Sequence, residues 1–155
     1  MASLYEADFY AWTQEQSTKL RDLMSSRTNI DLDIENLAEE IDSMGRSNRH
    51  QLINRLAELD QHLMKLAFSL AWEPRRQWKK SVAGQRYSIA KLLRDNPSLR
   101  RELPASLVAA HEDALREFDQ EKLIELTMNE LPGLCPFELD DMLDPEWWPN
   151  PRGVA

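Results

Sequence analysis

The sequence predicts an all-α protein, an up-and-down helical bundle with one long central helix over about residues 34–72 and short C-terminal helices. Three observations predict it. Apolar residues recur at spacings of three and four along most of the 155-residue chain. No run of β-branched residues alternates at period two, as a half-buried strand would. Caps and Pro-containing breaks fall between the apolar stripes rather than inside them.

The first helix is expected over about 6–24, with Tyr5, Phe9, Trp12, Gln16, Leu20 and Leu23 on one stripe. A loop follows over 25–29. Asp33 then reads as an N-cap, with Glu35 in the next turn, where a negative charge suits the helix dipole. The central helix carries Leu37, Ile41, Met44, Asn48, Leu52, Leu56, Leu59, Leu63, Leu66 and Leu70. That phase survives Gly45, so the glycine is not expected to end the helix, although it costs about 1 kcal/mol relative to Ala. Pro74 supplies the stop. A third helix is expected over about 77–94, with Trp78, Val82, Gln85, Ile89, Leu92 and Leu93 inward. Asn96-Pro97 reads as a restart, Asn as N-cap and Pro at the first helical position, of a short helix stopping near Pro104. A fourth helix is expected over about 105–127, with Leu107, His111, Ala114, Leu115 and Phe118 inward. Pro132-Gly133 makes a turn, and Cys135-Pro136 opens a last short helix through Leu143. Residues 1–144 read as one helical-bundle domain and 145–155 as an extended tail containing Pro and Trp.

Charge is unevenly placed. The net charge is −8, but residues 1–71 carry −5, residues 72–101 carry +7 and residues 102–155 carry −10. The acidic total disfavours non-specific nucleic-acid binding by the whole molecule. No stretch approaches the roughly 18 uncharged apolar residues of a membrane-spanning helix, and the N-terminus lacks the basic and apolar regions of a signal peptide. The expectation is a cytoplasmic protein with no membrane association and with Cys135 as a reduced thiol. A lone cysteine excludes an internal disulfide framework and any multi-cysteine metal centre.

Four constellations stand out. Glu35, Glu39 and Asp42 share a face of the central helix; they form either a candidate acidic site or a solvated face partnered by Lys19 and Arg46. His62, Gln85, Arg86 and His111 fall on or beside apolar stripes. Reflection about the turn near 74–75 places Gln85 close to His62, and with Arg86 and His111 they make one candidate buried polar layer, either a register-fixing network or a small-ligand pocket. Arg75, Arg76, Lys79, Lys80 and Arg86 lie among Trp72, Trp78 and Tyr87 as a candidate anion-binding set, the alternative being neutralisation by acidic helices. Cys135 precedes Pro136 at an expected helix start, where a dipole lowers a thiol pKa, yet no Cys-His-Asn order accompanies it. Glu58 and His62 are four apart rather than three, and Val108 stands where a Glu would precede His111, so the di-iron bundle pattern is excluded. No Gly-rich phosphate loop, Gly-x-Ser-x-Gly or His-Glu-x-x-His occurs. Catalytic residues, metal and cofactors are accordingly expected to be none.

Leu4-Tyr5-Glu6-Ala7-Asp8-Phe9-Tyr10-Ala11-Trp12 with Glu15-Gln16, then Glu35-Asn36-Leu37-Ala38-Glu39-Glu40-Ile41 and Met44-Gly45-Arg46-Ser47, form a pattern. Leu63, Lys65, Trp78, Gln85-Arg86, Asn96-Pro97-Ser98-Leu99 and Cys135-Pro136 continue it. In these residues the chain resembles the bacterial family catalogued as domain of unknown function 29. The resemblance implies a small helical bacterial protein, often present in paralogous copies, and a structural role for Cys135-Pro136. It implies no activity. The Trp147-Trp148 pair departs from the less aromatic ending the family suggests.

Function is read in three ways. The leading one is a non-catalytic protein-interaction or scaffold module, with a protein partner or a homodimer through the long helix. The second is a nucleic-acid-associated protein using residues 72–101, disfavoured by the acidic total. The third is a small-ligand binder or enzyme around His62, Gln85, Arg86 and His111.

Overall fold

The computed structural model describes residues 1–26, 29–126 and 130–151. Among them all regular structure is helical: α1 (Leu4–Ala7), α2 (Phe9–Ser25), α3 (Ile34–Phe68), α4 (Arg75–Asp95), a 3-10 turn (Pro97–Glu102), α5 (Leu103–Glu121) and α6 (Leu139–Leu143). The fold class is therefore the one expected, a helical bundle with a long central helix. No helix among the described residues is long and apolar enough to cross a membrane. Two compact units divide the chain, Met1–Gln51 with Leu92–Glu102 and Leu52–Lys91 with Leu103–Ala155.

In the first unit the expected first helix is two helices. Ser3 and Glu6 cap α1 reciprocally, with Ser3 N donating to Glu6 Oε2 at 3.0 Å and Glu6 N to Ser3 Oγ at 3.4 Å. The break falls at Asp8. Its Oδ1 accepts from Ala11 N at 3.0 Å as the N-cap of α2, and its Oδ2 accepts from Ser98 N at 2.7 Å. One carboxylate thus caps two elements that are 90 residues apart. Asn96, expected to be that cap, turns elsewhere. Its Oδ1 accepts from Tyr10 N and from Asn48 Nδ2, both at 3.0 Å, and its Nδ2 donates to Leu92 O at 3.0 Å. Asn48 interrupts the stripe because it belongs to this buried amide network.

α3 is continuous through Gly45 and 35 residues long, about 52 Å at 1.5 Å per residue. Its buried face in the first unit is not the one the apolar stripe predicts. Leu37 and Met44 are 43% and 47% exposed, while Ile34, Ala38 and Gly45 face inward. On α2 the buried positions are likewise Tyr10, Thr13 and Ser17. The two helices approach through small residues: a Cβ at Gly45 would stand 2.5 Å from Thr13 Oγ1. Tyr5, Phe9 and Trp12 instead pack on one another, with centroids 4.9–5.7 Å apart.

In the second unit the stripe holds as far as Leu66, while Leu70, beyond the helix, is exposed. Leu52, Leu56, Leu59, Leu63 and Leu66 of α3 are buried with Trp78, Val82 and Ile89 of α4. Met64 packs with Ala114, Leu115 and Phe118 of α5 and with Leu131. α3 ends at Phe68 rather than near 72. Glu125 accepts from Ser69 Oγ at 3.1 Å and from Leu70 N at 2.5 Å, drawing the backbone out of the helix. α5 begins at Leu103 with Pro104 in its first turn, so that proline starts a helix rather than stopping one. It ends at Glu121, where Lys122 takes a left-handed φ of 50°; the expected end at Thr127 lies outside the described residues. α6 begins at Leu139, after Cys135-Pro136 has passed in a non-helical segment.

Candidate functional site

The second unit carries two polar constellations. The first grows from the N-terminal end of α4. Arg75 reaches back to the end of α3, donating to Leu66 O at 2.6 Å and Ser69 O at 2.9 Å, and its guanidinium lies 4.6 Å from the Trp72 ring centroid. A cation is favoured there, at the carbonyl end of a helix. Arg86, only 5% exposed, donates from Nε to Met142 O at 2.7 Å and from Nη2 to Trp147 O at 2.8 Å. Burial lowers its pKa, opposed by the Asp144 charge. Trp148 meets two cations, Arg86 at 5.0 Å and Lys79 at 5.3 Å from its centroid. Residues 145–151 are thereby fastened to α4.

Together these groups wall an open cleft of about 580 Å³. Leu66, Trp72, Arg75, Arg76, Lys79 and Trp148 line it, with Pro149, Asn150 and Pro151 closing one side. Among the described residues none of Arg75, Arg76, Lys79, Lys80 and Arg86 has a carboxylate at salt-bridge distance; the pair within 72–101 is Arg94 with its neighbour Asp95 at 3.5 Å. Among the described residues, direct ion pairing with acidic helices, the alternative drawn from its charge, holds none of these five side chains, although the Asp144 charge acts on Arg86. Backbone carbonyls and indole rings hold Arg75 and Arg86, and those partners cancel no formal charge.

The second constellation is buried. Asp60 of α3 and His111 of α5 meet at 2.5 Å, Oδ2 to Nδ1, with both side chains almost wholly enclosed. His111 Nε2 lies 2.8 Å from Pro132 O. Pro132 O can only accept, so Nε2 donates to it, and a carboxylate facing Nδ1 favours the imidazolium. Burial opposes that charge, but the Asp60 and Pro132 hydrogen bonds outweigh it and raise the His111 pKa. Cys135 Sγ lies 3.5 Å from Asp60 Oδ1, 3.6 Å from Met142 Sδ and 3.7 Å from Phe137 O. Burial first, then the Asp60 charge, push the thiol up to about 12.

The polar layer expected from His62, Gln85, Arg86 and His111 divides. Gln85 donates to the Glu58 carboxylate, and His62 Nδ1 meets Glu58 O at 2.7 Å. These two residues share Glu58, whereas Arg86 turns to Met142 and Trp147 and His111 to Asp60. Burial lowers the His62 pKa, and the same cause acts on Lys65, which lies 6.0 Å from the Trp78 centroid. Glu39 and Asp42 are ion-paired in the first unit. Arg21 reaches Asp42 at 2.6 Å and Glu39 at 3.7 Å, and Arg46 reaches Glu39 at 2.6 Å. Lys19 pairs with Glu15 at 3.0 Å instead. Glu35 is exposed beside them.

Asp60 escaped the sequence reading. The available signal was its position: it falls between Leu56 and Leu63 at spacings of four and three, the one carboxylate on an otherwise apolar face.

The family model described as "Domain of unknown function DUF29" matches residues 4–148, and the chain belongs to that family. An α-helical protein of unknown function from Rhodospirillum rubrum, known from a crystal structure, has the same fold. It is 24% identical, with a TM-score of 0.69 over 95% of this chain and 93% of that one. No curated protein matches the chain.

Proposed function

We propose that this protein is a non-catalytic protein-interaction module that receives an acidic, extended segment of a partner in the cleft between α4 and residues 148–151. The observation that carries this reading is the set of cations on the cleft, Arg75, Arg76 and Lys79, beside two indoles and with no carboxylate partner among the described residues. Exposed carboxylates of a partner complete the charge, and its apolar side chains cover Trp72 and Trp148. The Pro149-Asn150-Pro151 wall offers a stiff, extended surface for a peptide to lie along. The non-catalytic part is supported by the thiol chemistry. Cys135 is held protonated, with its sulfur against Asp60, Met142 and Phe137. A polyanion is the weaker partner because the remaining surface of a −8 chain repels it.

The test is fluorescence anisotropy at low salt with a labelled Asp/Glu- and Phe-containing peptide and with labelled single- and double-stranded oligonucleotides. Micromolar peptide binding, lost in Arg76→Glu/Lys79→Glu, is the expected result. Tighter binding of the oligonucleotides, falling steeply with salt as phosphate counterions are released, overturns it in favour of nucleic acid. No binding of either at low salt, where electrostatic association is strongest, rejects the cleft as an anion-facing surface.

A further inference from the structure

We propose that Asp60, His111 and Cys135 form a binding site for a divalent transition metal of the zinc type, with the Met142 thioether as a weak fourth donor. One ligand atom from each of the three lies within 4.8 Å of the others. The three come from α3, from α5 and from the segment before α6, so the tertiary fold brings them together rather than a local motif. Zn–S and Zn–N/O bonds of about 2.3 and 2.0 Å put tetrahedral donors about 3.2–3.8 Å apart. The Cys135–Asp60 and Cys135–Met142 separations of 3.5 and 3.6 Å already have that spacing. The His111 Nδ1 contact with Asp60, at 2.5 Å and through the other carboxylate oxygen, Oδ2, is shorter than that spacing and has to open by about 0.7 Å.

The surroundings fit an ion as well as the donors do. A metal-ligating histidine characteristically donates its other ring N–H to a carbonyl or carboxylate, which fixes its tautomer. His111 does this through Nε2 to Pro132 O at 2.8 Å and presents Nδ1 to the site. Charge also balances. Carboxylate, imidazolium and thiol sum to zero. A divalent ion with carboxylate, neutral imidazole and thiolate sums to zero too, and the two displaced protons leave from Nδ1 and Sγ. An oxygen, a nitrogen and one or two sulfur donors suit zinc or its spectroscopic substitute cobalt. Magnesium and calcium, which want oxygen alone, do not suit this set.

The experiment is titration of the tag-free, chelator-treated full chain with Co²⁺, followed in the visible and near-ultraviolet, with Zn²⁺ competition and elemental analysis of the dialysed product. The expected result is one ion per chain, tetrahedral d–d bands with a thiolate-to-cobalt charge-transfer band, and bleaching by Zn²⁺. Cys135→Ser is expected to lose the charge-transfer band, and His111→Gln to weaken Co²⁺ binding at least tenfold. The wild-type titration decides even where a variant fails to fold. A folded wild-type chain that shows no bands and retains no ion overturns the proposal, as do bands that survive unchanged in Cys135→Ser.

Discussion

Charge organises the two units differently. In the first unit the ionic groups are peripheral and short-range: Arg21 and Arg46 close on Asp42 and Glu39, and Asp8 caps two helical elements at once. The interior there is neutral, an amide network of Asn48 and Asn96 between small residues. The second unit encloses Asp60, His111 and Arg86, and among the described residues no carboxylate pairs with the cations of its cleft. Charges satisfied at the surface bear on stability alone. Enclosing a charge costs desolvation that pairing only partly repays, whereas an exposed cation stays solvated and open to an outside partner, and both features belong to the second unit.

The largest break in this comparison comes from removing one partner of the enclosed pair. Asp60→Ala in the presence of a chelator leaves the His111 ring without its acceptor and should cost about 3–5 kcal/mol in urea unfolding, the range for halving a buried ion pair. Arg21→Ala in the first unit, an exposed pair, should cost no more than about 1 kcal/mol. Equal losses would abolish the contrast.

The next effect tests the cores. Leu59→Ala should cost about 2–5 kcal/mol, because Leu59 is fully buried and its removal leaves a cavity. Leu37→Ala should change stability by about 0.5 kcal/mol or less, because Leu37 is 43% exposed. A loss at Leu37 as large as that at Leu59 would put the stripe back at the helix interface of the first unit.

A smaller effect reports on the close approach. Gly45→Ala gains helix propensity of about 1 kcal/mol but drives a Cβ to 2.5 Å from Thr13 Oγ1, which is itself bonded to Tyr10 O at 2.7 Å. The net should be a loss, within the 1–3 kcal/mol or so typical of overpacking. Thr13→Ala removes the clashing atom, so the double variant should recover most of the loss, and a thermodynamic cycle measures the coupling. Additive losses would show that Gly45 matters for something other than Thr13.

These contrasts also explain what the sequence made legible. In the second unit the buried face is built of leucines, so the period of Leu52 to Leu66 gave its phase directly. In the first unit the contact is made by Ala38, Gly45, Thr13 and Ser17, residues that an apolar count passes over in favour of Leu37 and Met44. The hinge at Asp8 was hidden because its second set of donors, Ser98 N and Oγ, is far away in sequence. His111 and Cys135 drew notice as residue types, but their meeting depends on a carboxylate at Asp60 and on a turn at Pro132, neither of which has a local spacing rule. The basic segment was plain in the composition. That carbonyls and indoles rather than carboxylates hold its arginines is a matter of tertiary geometry.

The smallest expected effect sharpens the comparison through pH. Asp42 is held below the usual carboxylate range, first by hydrogen bonding from Ser17 and then by Arg21, against partial burial. A carboxylate depressed on folding contributes stability above its unfolded pKa of about 3.9. That contribution is lost as pH falls through the folded value. Asp42→Asn should therefore be less stable than the wild type at neutral pH, by no more than about 1 kcal/mol for a pair this exposed. The two unfolding curves should begin to converge below about pH 4 and meet once the pH lies below the depressed folded value, where both chains carry a neutral side chain at this position. High salt should narrow the gap at neutral pH as well, because an exposed pair is screened within about 10 Å at 0.1 M. A difference that persisted unchanged into acid would mean that Asp42 acts through packing rather than charge, and the description of the first unit's ion pairs as surface electrostatics would fail.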